Sequence, residues 1–144
     1  MTARQSYHLT FARFSPSLSV RSFSASEAVN TAYRVEITAT STDSSLPLSS
    51  YLNQRAAFEI RPQEGLLSEV VSAFGAASDD PPAKQWQGII TSCEKLSVSK
   101  DETVYRFVLE PRFAALKHFQ TSRLFQHQTV PDIVAAVFKH HGFS

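Results

Sequence analysis

Residues 85–110 read QWQGIITSCEKLSVSKDETVYRFVLE, and this stretch decides the fold. Trp86, Gly88 and Ile90 fall on one face of an extended chain and Gln87, Ile89 and Thr91 on the other, so a strand is predicted from Gln85 to about Val98. Apolar residues on both faces mark a strand inside a sheet rather than at its margin. Lys100-Asp101-Glu102 makes a polar tip, and Val104–Glu110 returns with Tyr105, Phe107 and Leu109 sharing a face. The pair is a long antiparallel hairpin.

Working towards the N-terminus, the same period of two recurs. Tyr7, Leu9 and Phe11 alternate with His8, Thr10 and Ala12, and Tyr33, Val35 and Ile37 alternate with Arg34, Glu36 and Thr38. Leu18-Ser19-Val20 begins a further strand that breaks step at Arg21-Ser22-Phe23, the mark of a bulge. The Ser-rich segment Ser24–Asn30 reads as a turn or loop. Leu46, Leu48 and Leu52 ride a short helical turn begun at Pro47, and Arg55–Ile60 is a strand that ends at Arg61-Pro62, where proline breaks a ladder. Between them and the hairpin, Leu66, Leu67, Val70, Val71 and Phe74 have helical spacing up to Gly75, and Asp79-Asp80-Pro81-Pro82 stops it.

Working towards the C-terminus, Pro111-Arg112-Phe113 ends the hairpin, and Phe113 and Leu116 belong to a short helical or turn segment. Thr129 is placed to cap a helix, with Asp132 three residues on as the acid of a capping box and Pro131 in the first turn. Val130, Ile133, Val134, Val137 and Phe138 follow at three-and-four spacing. Lys139, His140 and His141 suit the negative end of the helix dipole, and Gly142 suits the left-handed residue beyond it. A helix is predicted over about Val130–His141. The fold class is therefore α+β, mainly β: a barrel-like antiparallel or mixed sheet of six or more strands with a C-terminal helix packed outside or across one end.

The 144 residues suit one domain, able to bury ~70% of the unfolded surface. Apolar residues make up 42% of the chain, but none of its apolar runs approaches the ~18 residues of a membrane span. No signal peptide opens it, so the N-terminus reads as cytosolic and no stable membrane insertion is expected. Cys93 is the lone cysteine and is expected to be a semi-buried filler in its strand. A formal charge of +1 with both signs interspersed lacks the basic stripe that nucleic acid needs.

Two stretches also resemble a known family. Arg123, Leu124, Phe125 and Gln126, then Thr129, Val130, Pro131, Asp132 and Ile133, closing on His141-Gly142-Phe143, resemble a signature of the VgrG (Rhs/Vgr) tip proteins of the type VI secretion system, relatives of phage baseplate hub proteins. Trp86-Gln87-Gly88-Ile89-Ile90-Thr91 resembles that family's central strand, and Pro111, Phe113 and Leu116 match the segment after its hairpin. The resemblance implies that residues 1–144 are a single or partial domain from the N-terminal part of the hub, lacking the neck and spike, with an insertion at about 65–84 where relatives have a short link. It implies a structural, non-enzymatic component of a β-barrel hub that joins tube to spike. By the same resemblance, the full-length protein is a homotrimer that meets a hexameric tube ring, held in the bacterial cytoplasm before firing and delivered outward with the tip. The chain alone is expected to be mostly monomeric. Phe113, Leu116, Phe119 and Phe125 are candidate interface residues.

The residues themselves offer little chemistry. His140 and His141 are adjacent, about 100° apart on a helix, and do not form the i, i+4 pair of a helical zinc motif. There is no strained elbow around a serine, the acidic pairs Asp79-Asp80 and Asp101-Glu102 belong to predicted loop tips, and Gly65, Gly75, Gly88 and Gly142 lie too far apart for a phosphate cradle. No catalytic, metal or cofactor site is expected. Two alternatives remain: a phage tail baseplate hub or late-control domain sharing the fold, and a small-molecule-binding β-barrel, which would show a deep apolar pocket.

Overall fold

The computed structural model describes residues 5–62 and 84–143. The chain divides into two compact units, Met1–Pro111 and Arg112–Ser144. In the first, the predicted alternation yields six strands: β1 (Gln5–Phe11), β2 (Ser19–Ala28), β3 (Thr31–Ser41), β4 (Arg55–Pro62), β5 (Lys84–Val98) and β6 (Thr103–Glu110). A single turn of helix, α1 (Leu48–Tyr51), lies between β3 and β4. The predicted insertion falls on residues outside those described, apart from Lys84, which opens β5.

All neighbouring strands are antiparallel, in the order β1-β4-β5-β6-β3-β2, and the sheet curls into a half-barrel. β5 lies inside it, flanked by β4 and β6, as its two apolar faces require. The outermost strands, β1 and β2, share no ladder. Side chains meet across their gap instead, where Tyr7 and Phe23 bring their rings 5.2 Å apart and Phe23 lies 5.0 Å from Phe58.

The core lies on the concave face. Val35, Ile37, Phe58, Ile90, Tyr105, Phe107 and Leu109 are completely buried there. Each contributes on the order of 1.5–3 kcal/mol by leaving water. Tyr51 of α1 enters this core edge-on, 4.9 Å from Phe11 and 5.9 Å from Phe107. Leu46 and Leu48 also pack against it, whereas Leu52, expected on the same helical face, is exposed because α1 ends at Tyr51.

The expected bulge in β2 is present, as a register shift between Val20 and Ser22. The expected loop at Ser24–Asn30 is corrected: β2 continues to Ala28, and only Val29 and Asn30 turn, Asn30 with φ 61°. Serines suit this strand because it has one sheet neighbour and its outer side is solvated. β4 likewise runs through the predicted break at Arg61-Pro62: Arg61 stands opposite Ser6 and Pro62 opposite Gln5, the proline taking the last position of the strand.

The second unit comprises a 3-10 helix over Arg112–His118, an irregular stretch, and α2 (Val130–His140). The predicted capping box at the start of α2 is formed in full. The Thr129 side chain accepts from the Asp132 backbone N–H, and the Asp132 carboxylate accepts from the Thr129 backbone N–H at 3.3 Å. Gly142 follows with φ 72°, the conformation predicted for it. Among the described residues no helix is long and apolar enough to cross a membrane.

Candidate assembly surface

The family-signature residues fall into two groups. Trp86 and Gly88 belong to the packing of the sheet unit. Trp86 is buried, its ring Nε1 donates to Glu27 Oε1 at 2.5 Å, and the Lys84 ammonium sits 5.0 Å from the ring centroid. Lys84 also pairs with Glu27 at 3.0 Å. Hydrogen bonds from Lys84 and then Trp86 hold the Glu27 carboxyl below the usual carboxylate range. Gly88 passes beneath the end of β6, where a Cβ would lie 2.0 Å from the Glu110 carbonyl oxygen. Only glycine allows that approach.

The other signature residues build the second unit. Arg123 Nη2 donates to His140 Nε2 at 2.8 Å, which places the ring proton of His140 on Nδ1 because a guanidinium only donates. Gln126 is exposed, Thr129 and Asp132 form the cap, and Pro131 lies in the first turn of α2. Val130 is 73% exposed, Ile133 is half-buried, and the Gly142 carbonyl accepts from Arg112 Nη2 at 3.1 Å. The Arg112 guanidinium also stacks on Phe143 at 5.0 Å. These bonds tie both ends of the unit together.

Of the candidate interface residues, Phe113 and Phe119 are exposed and Leu116 and Phe125 half-buried. Leu116, Phe119 and Phe125 converge on one open recess of about 250 Å³, which also takes in Thr121, Arg123, Val137 and His141. Phe113 is not among its lining residues. Val137 and His141 were missed as members of this site, although their i, i+4 spacing puts them on one helical face. His141 lies 4.8 Å from the Phe119 ring and 5.0 Å from that of His140. Along α2 no residue is buried, and Val134 and Phe138 are exposed with Val130.

Among the described residues no group of three or more His, Cys, Asp or Glu is placed to hold a metal ion. Cys93 is half-buried, donates its thiol to the Leu48 carbonyl at 2.9 Å, and is pushed up in pKa by burial and then by Glu94. That environment disfavours the thiolate a nucleophile needs. A second open recess, about 290 Å³ between the start of β2 and the β5–β6 tip, is lined by Leu18, Ser41, Thr42, Asp101 and Glu102 among others.

Comparison with known proteins fits this arrangement. The sequence model of the phage tail baseplate hub (GPD) family matches residues 26–144. The type VI secretion system spike protein VgrG4b of Pseudomonas aeruginosa is 31% identical over 125 residues, 87% of this chain and 13% of that protein. Spike protein VgrG5 of the same organism is 30% identical over 123 residues, 85% of this chain and 13% of its own length. The chain thus spans about an eighth of these relatives. Among solved structures, the E. coli c3393 protein is described as a component of the type VI secretion system with structural similarity to the T4 bacteriophage tail proteins gp27 and gp5. It superimposes with a TM-score of 0.74 at 26% identity, over 95% of this chain and 33% of that one. The fold is thus shared with a type VI secretion component, and the chain belongs to the phage tail baseplate hub family.

Proposed function

We propose that this chain is a structural, non-enzymatic part of a type VI secretion hub, where it helps to join the tube to the spike. The observation that carries the reading is the superposition on a type VI secretion component over 95% of the chain, which takes in both the half-barrel and the capped helix. The relatives are described as spike proteins, and a hub has no bond to make or break. Its task is to hold contacts while the tip is driven outward, which a rigid apolar half-barrel suits. In the full-length protein the hub would be trimeric and would meet a hexameric tube ring, waiting in the bacterial cytoplasm and leaving with the tip.

The match of residues 26–144 to a phage hub family favours a second reading, in which the particle served is a phage tail. Deleting the reading frame that carries this chain and following tube-protein export into the medium tests the first. Export is expected to stop and to return on complementation; undiminished export, or loss of phage particles instead, overturns it. By light scattering, the 144-residue chain alone is expected to be mostly monomeric, and a stable trimer in dilute solution would contradict that.

A further inference from the structure

Charge is unevenly divided along this chain. Residues 112–144 hold four permanent cations, Arg112, Lys117, Arg123 and Lys139, against one acidic side chain, Asp132, a net charge of +3 with histidines neutral. The whole chain has fourteen Lys and Arg and thirteen Asp and Glu, so residues 1–111 hold ten and twelve, a net charge of −2. Asp132 is engaged at the N-terminal cap of α2, bonded to Thr129. The recess lies towards the other end of the helix, and the polar residues that line it are Arg123, His141 and Thr121. The rest of its wall is Leu116, Phe119, Phe125 and Val137. Arg123 uses one N–H on His140, and a guanidinium has five to give.

We propose that this recess is a docking site for an acidic segment of a partner polypeptide, seating one apolar side chain against Phe119, Phe125 and Val137 and a neighbouring carboxylate against Arg123 and His141. Its partner's being a polypeptide rests on the assembly reading above; its sign and chemistry rest on the recess. At about 250 Å³ the recess is smaller than the ~300–1,000 Å³ typical of free small-molecule sites, so it suits one side chain. A duplex nucleic acid would need more phosphate contacts than four cations supply. A membrane-surface helix carries lysines and arginines along its polar face, whereas α2 has only Lys139. Complementary charge would steer the encounter, and the apolar anchor would hold it.

The test titrates the whole chain with a capped peptide, Glu-Glu-Phe-Glu-Glu, followed by backbone NMR. Amide shifts are expected at Thr121, Arg123, Val137 and His141, with weaker binding of Glu-Glu-Ala-Glu-Glu. Arg123→Gln should weaken binding by about fivefold, as losing one exposed ion pair does. Lys139→Gln, outside the recess, should change it by less than about twofold, the size of a screened distant charge. If Arg123→Gln disturbs α2 by circular dichroism, Phe125→Ala replaces it and is also expected to weaken binding. No peptide binding, binding indifferent to both variants, or tighter binding to phosphatidylglycerol vesicles or duplex DNA overturns the proposal. Intact tube export with no peptide binding overturns the recess alone and leaves the assembly reading standing.

Discussion

The sheet unit and the C-terminal unit hold themselves together by different means. Among the described residues up to Pro111 a set of large side chains forms a sealed core: Phe58, Phe107, Tyr105, Ile90 and Leu109 have essentially no exposed surface. In residues 112–143, Phe113, Phe119, Leu124, Val130, Val134 and Phe138 are all exposed, six of the ten exposed large apolar residues among those described. What fixes this unit is largely polar: the Thr129–Asp132 box, the Arg112 bond to Gly142, and the Arg123–His140 pair. One unit is stabilised by excluding water from a core. The other leaves much of its large apolar surface exposed.

That contrast is sharpest under truncation of the core. Phe107→Ala empties a fully buried site next to Phe11, Tyr51 and Tyr105 and should cost about 3–5 kcal/mol in denaturant unfolding, with the midpoint falling at unchanged slope. A loss below 1 kcal/mol would mean that the sheet unit is not held by its core. Gly88→Ala acts by the opposite error, adding a methyl where the Glu110 carbonyl already stands, and should cost about 1–3 kcal/mol or more. Gly142→Ala, in the second unit, sets a Cβ in open space but at φ 72°, so its cost of about 1 kcal/mol is backbone strain.

A smaller effect separates the polar support of the sheet from its packing. Glu27 has a carboxyl pKa lowered by Lys84 and Trp86, so the folded state binds its proton less readily than the unfolded chain. The stabilisation is present above the unfolded-state pKa and is lost as pH falls through the folded value. Glu27→Gln should therefore flatten the acid side of the profile of melting temperature against pH. An unchanged acid limb would show that the Glu27 clasp contributes nothing.

The two units also differ in how far the sequence discloses them. The strands were legible because a period of two with Val, Ile and aromatics is what a half-buried sheet demands, and Val35, Ile37, Phe107 and Leu109 obey it. β2 was misread beyond Phe23 because Ser24 and Ser26 have turn chemistry, and only pairing with β3 makes them strand. α2 was found nearly to the residue because its cap is a local device. Gly88 stood out by family resemblance, but its cause, the Glu110 carbonyl twenty-two residues on, is tertiary. Glu27 as the partner of Trp86, and the meeting of Phe119, Val137 and His141, were illegible for the same reason: the contacts join distant positions and leave no local period.

The smallest effects belong to α2, and there the sign matters more than the size. At 11 residues it is shorter than the length at which an isolated helix is stable in water, so without a buried face its ends must do much of the stabilising. Thr129→Ala removes the acceptor for the Asp132 N–H and should cost about 1 kcal/mol, seen as faster amide exchange in the first turn of α2 with β-strand protection unchanged. Val134→Ala truncates an apolar residue of the same helix, yet Val134 is already 45% exposed, and alanine is the better helix former by several tenths of a kcal/mol. The change should lie within about 0.5 kcal/mol of zero and lean towards greater helix stability, whereas truncation of a fully buried residue in the half-barrel, Ile37→Ala, should cost about 2–5 kcal/mol. A loss at Val134 as large as that at Ile37 would mean that α2 is held by a buried face after all, and the contrast between the two units would fail.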